Sequence, residues 1–130
     1  MGIQDSNTLI RSHLIVQAPL VALVSSRIYA AQPLPENYIL PAVTFSSRGG
    51  TADPDVPSIV TVSCQFKCWA DDPIEARQVY GALFDCLQGC EDYTGIVSVQ
   101  QEVGGQDMED PDVKGLYYVL TFFSFTIRSD

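Results

Sequence analysis

Positive charge is scarce in this sequence. Seven Lys and Arg stand against sixteen Asp and Glu, with one His, for a formal net charge of −9 at pH 7. A surface this acidic repels phosphate, which argues against reading nucleic acid through backbone contacts. It leaves room for a protein that surrounds DNA without gripping it. Long apolar runs are also missing: no stretch approaches the roughly 18 consecutive apolar residues of a membrane span, so no membrane partner is expected. The start, Met1-Gly2-Ile3-Gln4-Asp5, lacks the basic and apolar regions of a signal peptide, and the product is expected to stay in the cytoplasm where it is made. Low hydrophobicity is not among the shortages. With 46% hydrophobic and 10% aromatic residues, the bulk of the chain is not disordered. Its 130 residues suit one domain, 1–130, with a real core.

The residues that carry chemistry are equally thin. A hydrolase or transferase needs a nucleophile and a base within reach of one another. The one histidine, His13, falls in a helical stretch and reads as a surface or boundary residue. The four cysteines form two pairs, Cys64/Cys68 and Cys86/Cys90. Residues four apart on a strand are roughly 13 Å from one another, too far for a disulfide. Zinc is the sharper alternative, but the spacing is C-x3-C twice and the first pair sits in a strand core pattern, so buried reduced thiols are expected. Asp72 of Asp71-Asp72 is explained as a helix cap. The acids from Asp107 to Asp112 do not fall at the alternating positions of a calcium loop. Gly49-Gly50 and Gly104-Gly105 do not lead a strand into a helix through Lys-Ser or Lys-Thr, so neither is a phosphate loop. No catalytic residue, cofactor or metal is expected, and the chain reads as a non-enzyme.

What is present is alternation and capping. Asp5 and Ser6 suit the start of a helix carrying Leu9, Ile10, Leu14 and Ile15, which Pro19 should stop near Gln17. Leu20 to Val24 reads as a short apolar turn into a small strand at Arg27-Ile28-Tyr29. Pro33, Pro35 and Pro41 mark an extended connector, and Ala42 to Arg48 a second strand. From Ser58 to Ala70 the period is two: Val60, Val62, Cys64, Phe66 and Cys68 on one face, Thr61, Ser63, Gln65 and Lys67 on the other. Asp72-Pro73-Ile74-Glu75 is a capping box with its proline, and it opens a helix presenting Ala76, Val79, Tyr80, Leu83 and Leu87 and ending near Gly89. Val97, Val99, Gln101 and Val103 form one side of a fourth strand, and Gly104-Gly105 opens a loop closed by Gly115. The last strand, Leu116 to Arg128, points Val119, Phe123, Phe125 and Ile127 at the core. The order predicts a single α+β domain, a mixed or antiparallel sheet of four to five strands packed on two helices.

Three blocks of this sequence resemble the tail terminator, or tail-completion, proteins of long-tailed bacteriophages. The first runs from Leu20 to Gly50, with Arg27-Ile28-Tyr29, a proline-rich connector and Pro41-Ala42-Val43-Thr44-Phe45 in that order. The second, from Cys64 to Leu87, is a strand ending in an aromatic and an acid-capped helix containing Glu75-Ala76-Arg77. The third, Asp110 to Arg128, is an acidic loop, Gly115-Leu116-Tyr117 and a long aromatic strand. The resemblance spans residues 9 to 128; the paired cysteines and the long 104–115 loop depart from it. It implies a virion subunit that is not an enzyme, assembled in the host cytoplasm. Copies would form a ring, usually a hexamer, at the head-proximal end of the tail tube. Implied partners are further copies of the chain, the tail tube protein and the head–tail connector or stopper protein. DNA would pass through without sequence-specific binding.

Beside the resemblance, the residues themselves point to protein contacts. Tyr118, Leu120 and Phe122 make half of the last strand's outer face apolar, which a single covering layer does not explain, so they are the candidate subunit interface. Asp53 and Asp55 in one loop, and Asp107, Glu109, Asp110 and Asp112 in another, are the candidates for docking or for lining a channel. Two other readings are another component of the phage neck and, in a different class, a small cytosolic metal-binding or regulatory module using the four cysteines.

Overall fold

The computed structural model describes residues 6–31, 34–52, 59–88, 91–93 and 96–128. Among them the chain runs α1 (Ser6–Leu14), α2 (Ala18–Val24), β1 (Ile28–Ala30), β2 (Ala42–Ala52), β3 (Ile59–Ala70), α3 (Pro73–Leu87), β4 (Glu91–Tyr93), β5 (Ile96–Glu109) and β6 (Tyr117–Arg128). One mixed sheet has the order β1-β2-β3-β6-β5-β4. Only β1 and β2 pair in parallel, Ile28 beside Val43; the other pairs among the described residues are antiparallel. The α+β class is as expected, with one strand more (β4) and one helix more (α2). Pro19 is the reason for the extra helix. It occupies the first turn of α2, where a missing N–H costs nothing, so it opens a helix instead of merely ending one.

All three helices lie on one face of the sheet. Cys64, Phe66 and Cys68 of β3 and Val119, Phe123, Phe125 and Ile127 of β6 point to that face, as period two requires, and are buried with Ile10, Leu14, Leu20, Val24, Val79, Leu83 and Leu87. Phe66 sits at the centre. Its ring stacks on Phe45 at 5.1 Å, meets Phe123 edge-on at 5.7 Å and lies 6.0 Å from Phe125. The N-cap of the expected capping box forms: Asp72 Oδ1 accepts the Ile74 N–H at 2.7 Å, with Pro73 in the first turn.

The first sequence block acquires a physical cause here. Arg27 Nε donates to the Pro41 carbonyl at 2.9 Å, and the Val43 N–H donates to the Arg27 carbonyl at 3.0 Å. One residue thus fastens both ends of the crossover between the two parallel strands. Arg11 does the same for α1, its Nε donating to the Ile28 carbonyl at 2.7 Å.

β5 differs most from expectation. It does not stop at Gly104-Gly105 but continues to Glu109, opposite Tyr117. The pairing shifts between Val103 and Gln106, so the two glycines form a bulge inside the strand instead of opening a loop. Tyr80 of α3 holds the bulge: its hydroxyl accepts the Gly105 N–H at 3.2 Å and a hydrogen from Gln101 Nε2 at 2.7 Å. Thr121 Oγ1, buried on β6, donates to the Val103 carbonyl at 2.7 Å. An earlier shift, between Ile96 and Ser98, changes the phase of the strand's start. Ile96 and Val99 are buried while Val97 is only half-buried.

Candidate docking surfaces

The outer face of the sheet carries a second, smaller apolar cluster. Trp69, Leu116 and Tyr118 are its buried members, and Leu34, Tyr38, Leu40 and Leu120 pack against it. The Trp69 and Tyr118 rings lie 4.6 Å apart, and Trp69 Nε1 donates to Thr44 Oγ1 at 2.9 Å. The Lys67 ammonium stands over both rings, 5.6 and 5.1 Å from their centroids. The proline-rich connector therefore folds back across the outer face and covers one end of it. Trp69 is the residue that sequence reasoning passed over. Continuing the alternation through Gln65 and Lys67 places a tryptophan on the face assigned to water, and that conflict was the available signal.

This arrangement separates the three outer-face candidates. Tyr118 is only 9% exposed within a single chain, because the connector residues and Trp69 bury it. It is occupied by its own chain. Leu120 is half-buried against the same cluster, and Phe122 is half-buried further along β6. Phe122 faces Val103 across the β5–β6 pair, and Val103 is 39% exposed. Beside the connector the outer face opens into a cleft of about 610 Å³. Leu34, Tyr38 and Trp69 line it on one side and Val113 and Leu116 of the β5–β6 hairpin on the other, with Gln65 and Lys67 at its floor.

The acidic candidates fall into different settings. Asp53 and Asp55 lie outside the described residues. Asp107 and Glu109 are strand residues, not loop residues, because the bulge keeps β5 extended through them. Asp107 Oδ1 pairs with Arg77 Nε at 2.9 Å, with both side chains about half exposed. Asp110 and Asp112 do lie in the connection. Asp110 Oδ1 accepts the N–H groups of Asp112 and Val113, at 2.8 and 3.0 Å, so this acid shapes the turn.

The groups that carry reactivity are turned inward. His13 is buried, not on the surface, and its Nε2 lies 3.1 Å from the Cys86 carbonyl, joining α1 to α3. Desolvation by burial lowers its pKa, outweighing that hydrogen bond. Cys64, Cys68 and Cys86 are free thiols, the first two buried. Burial, and then the charge of Glu102, pushes the Cys64 thiol up to about 12; burial followed by Cys86 raises Cys68 further. Neither is a thiolate near neutral pH, the form that attacks or binds metal. Cys90 lies outside the described residues. Among the described residues no three His, Cys, Asp or Glu side chains gather as a metal site. No single helix among them is long and apolar enough to cross a membrane.

The fold is a small α+β domain with helices on one face of its sheet and a partly covered apolar cluster on the other. No protein-family model matches the sequence, and no curated protein matches it. Among solved structures the chain is similar to one in the virion of a native gene transfer agent (GTA) particle, with a TM-score of 0.74 over 95% of each chain and 17% identity. At that identity the likeness shows a shared fold.

Proposed function

We propose that this chain is a structural virion protein of a phage-like particle. In this reading it is the tail terminator: copies form a ring, a hexamer by the family resemblance, on the head-proximal end of the tail tube. The ring stops tube growth and offers its other side to the head connector. The observation that carries the reading is the match to a virion chain over 95% of both lengths, with no large insertion on either side. The sequence resemblance, residues 9 to 128, supplies the finer role. Among the described residues His13 and the thiols Cys64 and Cys68 are buried, so none of these three is offered at the surface as a base or nucleophile, which supports a structural part over a catalytic one. An acidic ring also suits a DNA channel. Like charge releases no counterions on contact, so the polyanion slides instead of sticking.

The test has two arms. Purified protein viewed by electron microscopy is expected to form rings, and Phe122→Asp is expected to leave folded monomers, because it sets an unpaired charge into a dry contact. Particles assembled without the chain are expected to carry tail tubes of uncontrolled length. Tubes of normal length with unjoined heads would instead assign the chain to the head side of the neck. Normal, joined particles would end the virion reading altogether.

A further inference from the structure

Where the N-terminal turn of α3 meets the loop end of the β5–β6 hairpin, the single chain forms a pocket of about 250 Å³. Pro73 and Ala76 form one wall, Met108, Tyr117 and Val119 the other. One apolar side chain beside it is turned to solvent, Ile74 of the same helical turn at 72% exposure; Met108 pairs with Tyr118, so alternation turns its side chain toward the outer face. The rim is acidic. Asp107 and Glu109 line the pocket directly, and Asp71, Asp72 and Glu75 flank its helical wall in sequence. Of the chain's few bases, Arg77 reaches this rim and is already engaged, with Asp107 and with the Gly105 carbonyl at 3.2 Å. An apolar hollow one side chain wide within a carboxylate rim matches the anatomy of a protein contact, a dry centre inside a charged border.

We infer that this pocket receives a basic segment of a partner protein, seated by one aliphatic or aromatic side chain and held by flanking Arg or Lys. Charge complementarity selects this occupant. A second copy packed face to face would bring the same carboxylates together, and packed head to tail it offers seven bases against sixteen acids; DNA would bring phosphate. The inference rests on the docking reading above for the partner's setting and adds the partner's chemistry. The acids at issue also change: Asp107 and Glu109 line the pocket, with Asp71 and Glu75 beside its helical wall in sequence, whereas Asp110 is engaged by its own turn.

The probe is a short arginine-rich peptide with a single central leucine, titrated into isotope-labelled full-length protein at low salt. Amide shifts are expected to concentrate at Ile74, Ala76, Met108, Glu109 and Tyr117, and to fade as salt screens the rim. Glu75→Lys combined with Glu109→Lys is expected to weaken the peptide about tenfold or more, as reversal of rim charges does elsewhere. A matched peptide with glycine for leucine is expected to bind weakly and without localised shifts. Equal binding by the two peptides would show charge attraction alone and overturn the pocket. So would shifts spread over the whole acidic surface, localised shifts produced by a DNA oligonucleotide, or concentration-dependent shifts at the same amides without peptide. Peptide failure in protein that still forms rings would remove this inference and leave the virion reading standing. Localised binding by protein that forms no ring would do the reverse.

Discussion

The two faces of the sheet are buried by different means. On the helical face, Phe66 lies beside three other phenylalanines of the sheet, in one buried cluster with side chains of the three helices, and it has no polar atom to satisfy. On the outer face the cover is an irregular connector, and the cluster beneath it is built from residues with polar handles: Trp69 donating to Thr44, Lys67 over two rings, and Tyr118. The centre of the first face, at Phe66, gains its stability from packing. The second is covered only at one end by the connector, so Leu120 and Phe122 of β6's outer face stay incompletely buried. A fold can tolerate the second arrangement only if the first carries its stability.

The largest expected effect tests that division. Phe66→Ala leaves a large cavity in a site with no room to collapse, and is expected to cost about 3–5 kcal/mol. Trp69→Phe keeps the ring but loses the donor to Thr44, and is expected to cost about 1–2 kcal/mol. Urea denaturation of both variants measures the difference. Equal losses would mean that the connector cluster belongs to the same cooperative core and that the contrast between the faces is false.

Next in size is the bulge that links the faces. A Cβ built on Gly105 would lie 2.8 Å from Val119 Cγ1 and 2.9 Å from Tyr80 Cζ. Val119 is buried, and the Tyr80 ring is anchored through its hydroxyl, so neither yields freely. Gly105→Ala is expected to cost about 1–3 kcal/mol, as overpacking does. Gly104→Ala, where nothing lies within 4 Å, is the matched control and is expected to cost far less. If the two variants are equally stable, the Tyr80 latch does not hold the strand.

The same bulge shows where sequence reasoning stops. The alternation of β3 and the N-cap of α3 were legible because each is decided within a few residues: period two sorts Cys64, Phe66 and Cys68 inward, and Asp72 meets Ile74 two residues on. Gly104-Gly105 read as a turn because paired glycines usually are one. The group that keeps them extended, the Tyr80 hydroxyl, is 25 residues away in sequence and on a helix. Tyr118 posed a similar difficulty. The apolar excess of its face was visible, but the cover is a connector whose prolines predict extension and say nothing of where it lands. His13 was misplaced for want of the same information, since only the packing of α1 on α3 puts it against the Cys86 carbonyl. Of the acidic candidates, composition foretold exposure but not the distinction between Asp110, which shapes a turn, and its neighbours.

That distinction gives the smallest effects and the finest test of the comparison. Asp107 and Asp110 are near neighbours of like charge, and a count of charges treats them alike. Asp110 accepts two backbone N–H groups that would otherwise face water or nothing, so Asp110→Ala is expected to cost about 1 kcal/mol, in the range of a lost cap. Asp107 holds a half-exposed ion pair that solvent screens, and Asp107→Asn is expected to cost about 0.5 kcal/mol or less. Its partner is not equivalent. Arg77 also donates to the Gly105 carbonyl and lies 5.3 Å over the Tyr80 ring, so Arg77→Ala removes a brace from the bulge as well as an ion pair. The expected order of loss is Arg77→Ala above Asp107→Asn, and the excess should shrink in a Tyr80→Phe background, where the hydroxyl that holds Gly105 is already gone. Additive losses in that double-mutant cycle would show that Arg77 acts on Asp107 alone and that the acidic end of the hairpin is independent of the bulge.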